Sequence, residues 1–109
     1  MRLRVQSILQ ERQERGDADE TAVALMAFFV EHDGQCFAGC CRVKQTVGAE
    51  YEGAPLEVGP PEAYEGPDVD HGRFRAIIER VYREGIAQFP AARVYMCNVV
   101  QIPGHAEEL

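Results

Sequence analysis

The sequence predicts an α+β fold, in which an antiparallel sheet of four strands carries one amphipathic helix near the C-terminus on one face. Three observations indicate this fold. An apolar stripe with helical spacing covers residues 70–89, two apolar runs flank an Asp-Gly pair at 33–34, and residues 3–10 alternate in polarity. A chain of 109 residues is expected to form one domain, spanning residues 1–109.

The first strand is predicted at residues 3–10, because polar and apolar residues alternate there as they do in a strand with one buried face. Strict alternation places Leu3, Val5 and Leu9 on the buried face. It places Ile8 on the opposite face, among polar residues.

Residues 21–32 allow two interpretations. Their Ala, Leu and Met residues favour a helix, but the nine consecutive apolar residues leave no polar stripe, and the aromatic and β-branched end favours a strand. The next two residues decide between them. Asp33-Gly34 between two apolar runs is a strong hairpin signal, so strands are predicted at 21–32 and 35–45.

A two-residue turn also predicts the register of this hairpin, since it places His32 opposite Gln35. Phe28 then lies opposite Gly39, on a face that is uniformly apolar, and an aromatic ring can cover a strand glycine in this way. The opposite face is also partly apolar. It carries Leu25, Phe29 and Ala38.

Residues 46–68 form a Gly- and Pro-rich acidic loop, whose prolines exclude a central strand or a helix. The loop is too apolar for a solvated linker, and a short edge strand is predicted at 47–52. We expect it either to fold over the sheet or to bind a basic protein partner, with Tyr51 and Tyr64 as anchors. The two alternatives are equally supported.

The charge distribution excludes one class of partner. Seven of the 18 acidic residues, and none of the 11 basic ones, lie between positions 45 and 72, and the net charge of the chain is −7. Binding to a phosphate backbone requires clustered Lys and Arg. Nucleic acid is therefore not an expected partner.

The helix is predicted at 70–89, with Asp68 or Asp70 as its N-cap and Pro90 ending it. A last strand is predicted at 93–102, which completes the order β-β-β-loop-α-β. The helical stripe that should pack on the sheet consists of Phe74, Ile77, Ile78, Val81, Tyr82, Ile86 and Phe89.

The four cysteines are interpreted as structural, since free cysteine is among the most buried residue types. Cys36 and Cys40 are separated by about 13 Å of extended backbone, too far to chelate one zinc ion unaided. The sequence contains no phosphate-binding loop, dinucleotide-binding motif, nucleophile elbow or His-Glu-x-x-His helix. No catalytic residue, metal or cofactor is predicted.

The apolar run within residues 21–32 is far shorter than the roughly 20 residues that a membrane-spanning helix needs. No apolar segment of the kind found in secretory signals follows the first residues. The expected location is therefore the cytoplasm, where cysteines normally stay reduced, and no membrane partner is expected.

The functional hypothesis follows from the fold. One helix covers one face of a sheet, and an apolar second face must be buried by another layer. We expect a small non-enzymatic interaction protein that forms a homodimer through this face. The alternative is a small-molecule-binding domain or minor enzyme with a pocket between the face and the 51–64 loop. The candidate binding residues are Leu25, Phe29, Ala38, Tyr51 and Tyr64.

Overall fold

The computed structural model describes residues 1–15, 20–47, 56–88 and 99–109 of the chain. These residues form one antiparallel sheet and one helix, so the predicted α+β class is confirmed. The elements in chain order are β1 (Arg2–Arg15), β2 (Glu20–His32), β3 (Gln35–Val47), β4 (Glu57–Val58), α1 (His71–Gln88), β5 (Val99–Gln101) and β6 (Glu107–Glu108).

The β2–β3 hairpin has the predicted register. His32 pairs with Gln35 and Phe28 with Gly39, without a shift along the whole length of the two strands. Asp33 and Gly34 both have positive φ values, 50° and 76°, as a type I′ turn requires. The twist of this turn matches that of the strands, and the turn therefore sets every pair that follows.

The number and order of strands differ from the prediction of four strands in the order β-β-β-loop-α-β. The described part of the sheet has six strands, in the spatial order β4-β3-β2-β1-β5, and β6 also pairs with β1. Strands β4 and β6 each contain only two residues, too few to produce a visible alternation in the sequence. Of the edge strand predicted at 47–52, Val47 belongs to β3 and the remainder lies outside the described residues.

Strand β1 is longer than predicted and is not regular. Its pairing with β2 shifts between Val5 and Ser7, which inserts Gln6 as an extra residue. Side chains beyond this point therefore exchange faces, up to a second register shift between Gln10 and Arg12. Ile8 lies on the buried face with Leu3 and Val5, and Leu9 lies on the opposite face, contrary to the prediction from strict alternation.

The helix confirms the prediction closely. Asp70 is the N-cap, because its Oδ1 accepts a hydrogen bond from the amide of Arg73 at 2.9 Å. The side chain of Ile86, together with Phe89 and Pro90, lies outside the part of the chain that can be described. The helical stripe packs on β1, β2 and β3 to form the core. Its described members, each at most 3% exposed, are Phe74, Ile77, Ile78, Val81 and Tyr82.

The described part of the acidic loop runs along the outer edge of β3. The amide of Gly59 donates to the carbonyl of Arg42, and Glu62 exchanges two backbone hydrogen bonds with Cys40. Tyr64 then packs against Phe28, with ring centroids 5.9 Å apart. The described loop thus extends the sheet and adds to the core on the helix side.

The chain after the helix returns to β1. Of the strand predicted at 93–102, the structure shows Val99–Gln101 as β5, and residues 93–98 lie outside the described range. Beside β5, the amide of Ile102 donates to the carbonyl of Gln6. No helix in the described residues is long and apolar enough to cross a lipid bilayer.

Candidate functional site

The candidate site is the second face, which we define as the face of the sheet opposite α1. The register places three of the predicted binding residues together there. Phe29 pairs directly with Ala38, and Leu25 lies two residues along β2 on the same side. Phe29 and Leu25 remain partly exposed, and Ala38 is exposed.

Strands β1 and β5 enlarge the second face with residues that the sequence did not indicate. Because of the register shift at Gln6, Leu9 lies on this face and pairs with Leu25 on one side and Val99 on the other. Val99 is 52% exposed, the most exposed large hydrophobic side chain among the described residues. The three residues form an apolar row across three strands.

Among the described residues, burial on the second face varies along β2. Val23, farther along β2 on the same side, is fully buried but is not part of the core cluster under the helix. Leu25, Ala27 and Phe29, which follow on the same side, are partly exposed. The partly exposed area is therefore a defined patch in the middle of the sheet.

Charged residues border this patch in pairs of opposite sign. Arg4, which pairs with Phe29 across β1 and β2, forms an ion pair with Glu31 at 3.0 Å. On the other side, Arg42 lies opposite Leu25 and forms an ion pair with Glu62 at 3.4 Å. Each of these two arginines thus has a carboxylate partner.

The two tyrosines predicted as anchors do not join this patch in the described structure. Tyr64 lies on the helix side of the sheet, where its Cβ is close to Gly39 and its hydroxyl donates to the carbonyl of Pro67. Its burial, and then the nearby carboxylate of Asp68, raise the pKa of Tyr64. Tyr51 lies outside the described residues. Tyr64 therefore does not form a pocket with Leu25, Phe29 and Ala38.

One acidic residue of the loop, and one just after it, have structural contacts. Glu62 pairs with Arg42, and Asp70 caps the helix. Glu57, Glu65 and Asp68 are exposed. The loop therefore combines an inward-facing tyrosine with acidic side chains at the surface.

The cysteines divide between the two faces of the sheet. Cys41 is fully buried on the helix side, and its burial, followed by Cys40 and Glu62, raises the pKa of its thiol to about 12. Cys40 is partly exposed and Cys36 is exposed, both on the second face, so Cys41 alone among the three described cysteines is buried. Alternation along β3 is the reason, since the even-numbered positions face away from the helix. Cys97 lies outside the described residues.

This arrangement is suited to binding. Aliphatic and aromatic side chains form the centre of the second face, and paired charges form its border. No cluster of three or more His, Cys, Asp or Glu side chains that could hold a metal ion occurs within the described ranges. Comparisons of the chain with protein-family models, curated proteins and solved structures find no match.

Proposed function

We propose that this protein is an interaction protein that associates with a second copy of itself through the second face. The observation that carries the proposal is the apolar row of Val99, Leu9 and Leu25, which continues to Phe29 and Ala38 and is partly exposed. A contiguous apolar patch on the surface of a protein typically marks a contact site. A two-fold dimer is the commonest closed assembly, and it would bury this patch on both copies.

The borders of the patch favour a second copy as the partner. A two-fold interface brings the same surface together twice, so a border with an excess of either charge would repel itself. Arg4 with Glu31 and Arg42 with Glu62 avoid this problem, because each cation is already paired with an anion. Glu62 is one of the seven acidic residues between positions 45 and 72, a segment without Lys or Arg that accounts for the net charge of −7, and its pairing with Arg42 reduces the negative charge at this border.

The direct test replaces Phe29 by Glu and measures mass by sedimentation equilibrium over a range of protein concentrations. The wild-type chain should form dimers at high micromolar concentration. Phe29→Glu should be monomeric, because a dimer would bury a carboxylate without a partner. Circular dichroism should show the same helical signal for both proteins, since Phe29 lies away from the helix.

A matched pair of alanine variants separates loss of the interface from a general effect of added charge. Ala38 and Ala76 are both exposed, the first on the second face and the second on the outer side of α1. Ala38→Glu should dissociate the dimer, and Ala76→Glu should leave it intact. A wild-type chain that remains monomeric at high micromolar concentration, or equal behaviour of the two variants, would contradict the proposal.

A further inference from the structure

His105 lies at a junction between the C-terminal segment (residues 102–109) and the rest of the fold. Strand β5 pairs with β1 at residues 7–9, and β6 pairs with it at residues 2 and 3. Between these two ladders, the amide of Val5 donates to Nδ1 of His105 at 3.2 Å. The imidazole thus accepts the hydrogen bond that a backbone carbonyl would accept in a continuous strand.

The other nitrogen of the ring defines its protonation state. Nε2 of His105 lies 2.8 Å from Oε2 of Glu107, and the side chain is only 14% exposed. Because Nδ1 accepts a hydrogen bond, the ring must be neutral, with its proton on Nε2 and donated to Glu107. A doubly protonated ring has no acceptor, and it cannot bond to the amide of Val5.

The groups around His105 act in opposite directions: the Glu107 carboxylate, 2.8 Å from Nε2, favours the protonated ring, whereas burial and Arg80 favour the neutral one. Glu107 already pairs with Arg80 of the helix. Arg4, which pairs with Glu31, lines the same cavity of about 150 Å³ as His105. Burial, and then Arg80, lower the pKa of His105, and Glu84 opposes them in part.

The C-terminal segment has further contacts that depend on this position. The amide of Leu109 donates to the carbonyl of Met1 at 3.0 Å, and Nε of Arg73 donates to the carbonyl of Glu108 at 3.2 Å. Leu109 and Ile102 also pack against the core. The segment therefore joins the outer edge of β1 to the helix. His105 lies between the β1–β5 and β1–β6 pairings.

We propose that His105 is a proton-sensitive latch, which holds the C-terminal segment on β1 when the ring is neutral and releases it when the ring is protonated. Protonation removes the acceptor of the Val5 amide and places a second cation beside Arg80. Release would expose the backbone of β1 at residues 2–5, an edge to which another strand can pair.

The direction of the pH effect follows from the two protonation equilibria. The ring has an ordinary pKa of 6.5 in the unfolded chain and a lower one in the folded protein. The unfolded chain therefore binds more protons in the interval between these values. Neutral His105 therefore stabilises the folded protein fully above about pH 6.5. This stabilisation is lost as the pH falls through the pKa that His105 has in the folded protein.

The test measures amide hydrogen exchange by NMR at pH 7.5 and pH 5, expressed as protection factors so that the intrinsic pH dependence of exchange cancels. Protection of the Val5 amide should fall by about three- to tenfold at pH 5, the loss expected for one hydrogen bond. The amide of Glu62, on the opposite edge of the sheet, should keep its protection. Unchanged protection at Val5, or an equal loss at Glu62, would overturn the latch.

Two histidine variants make the test specific. His105→Asn retains an oxygen acceptor that does not titrate in this range, so its Val5 protection should not depend on pH. His71 is exposed at the start of the helix, and His71→Asn should respond to pH as the wild type does. A pH-dependent loss in His105→Asn as large as that in the wild type would assign the effect to another group.

The tautomer of the ring provides a measurement that needs no variant. Nitrogen-15 NMR of the wild-type protein at pH 7.5 should show the His105 proton on Nε2. A ring protonated on Nδ1 could not accept the hydrogen bond from Val5, and that result would also overturn the latch.

Discussion

The two faces of the sheet differ far less in sequence than in burial. On the helix side, Phe28 and Met26 are at most 1% exposed. On the second face, Phe29 and Leu25, each one residue away, are partly exposed. Both faces carry aromatic and aliphatic residues, and among the described residues the helix α1 packs on only one of them. An apolar face can therefore be buried, but it is buried only where another element packs against it.

The largest expected difference between the faces is in thiol reactivity. The thiolate is the reactive form, and the pKa of Cys41 is raised from 9.0 to about 12, which reduces its thiolate fraction about a thousandfold at neutral pH. At a protein concentration too low for self-association, the exposed Cys36 should react fastest with iodoacetamide, the partly exposed Cys40 more slowly, and the buried Cys41 slowest of the three. Peptide mapping identifies each site. Equal rates at Cys36 and Cys41 would contradict the difference in burial between the two faces.

Truncating one aliphatic side chain on each side compares the faces energetically. Ile78→Ala should lower the free energy of unfolding by about 2–5 kcal/mol, because the residue is fully buried and leaves a cavity. Leu25→Ala should cost about 1 kcal/mol, since the residue is only partly buried. Urea denaturation measures both, at a protein concentration too low for self-association. A larger loss for Leu25→Ala would contradict the assignment of the core.

Adding one heavy atom to a side chain on each face of the sheet tests how tightly that face is packed. An added Cβ at Gly39 would lie 2.7 Å from Cζ of Phe28 and 3.0 Å from Cβ of Tyr64, so these rings must move. Gly39→Ala should therefore cost about 1–3 kcal/mol in thermal or urea denaturation. Ala38→Ser also adds one atom, on the exposed face, and should change stability by less than about 0.5 kcal/mol. Equal effects would show that the helix side is not tightly packed at Gly39.

The helix that covers one face can be weakened at its N-terminus. Asp70→Ala removes the acceptor of the Arg73 amide and should cost about 1 kcal/mol. Asp68 is exposed two residues earlier, and Asp68→Ala should have a smaller effect. The measurement is the urea midpoint followed by circular dichroism at helical wavelengths. An equal shift in both variants would mean that general charge near the helix N-terminus, and not the cap, provides the stabilisation.

Local patterns in the sequence were sufficient to predict those parts of the structure that depend on residues close together in the chain. The positive φ values of Asp33 and Gly34 follow from the turn chemistry, and the register from His32 to Gln35 follows from the turn. The helix could be predicted for the same reason, because its N-cap and its apolar stripe lie within one continuous segment.

Strand β1 shows where local patterns fail. An extra residue at Gln6 moves Ile8 into the core and Leu9 onto the second face. Strict alternation cannot reveal this, since a register shift depends on the partner strand. The apolar row with Val99, which carries the proposed interface, was therefore invisible in the sequence.

The sequence alone predicts the α+β class, the turn and register of the central hairpin, the buried stripe of the helix and the location of the acidic residues. Each depends on periodicity, turn chemistry or composition within one segment. Three further features depend on the assembled fold: Tyr64 packs on Phe28, Leu9 pairs with Val99 on the second face, and His105 accepts a hydrogen bond from Val5. These contacts join residues up to 100 positions apart. Many other pairs of residues would be equally compatible with the sequence, and the geometry of the assembled sheet determines which of them meet.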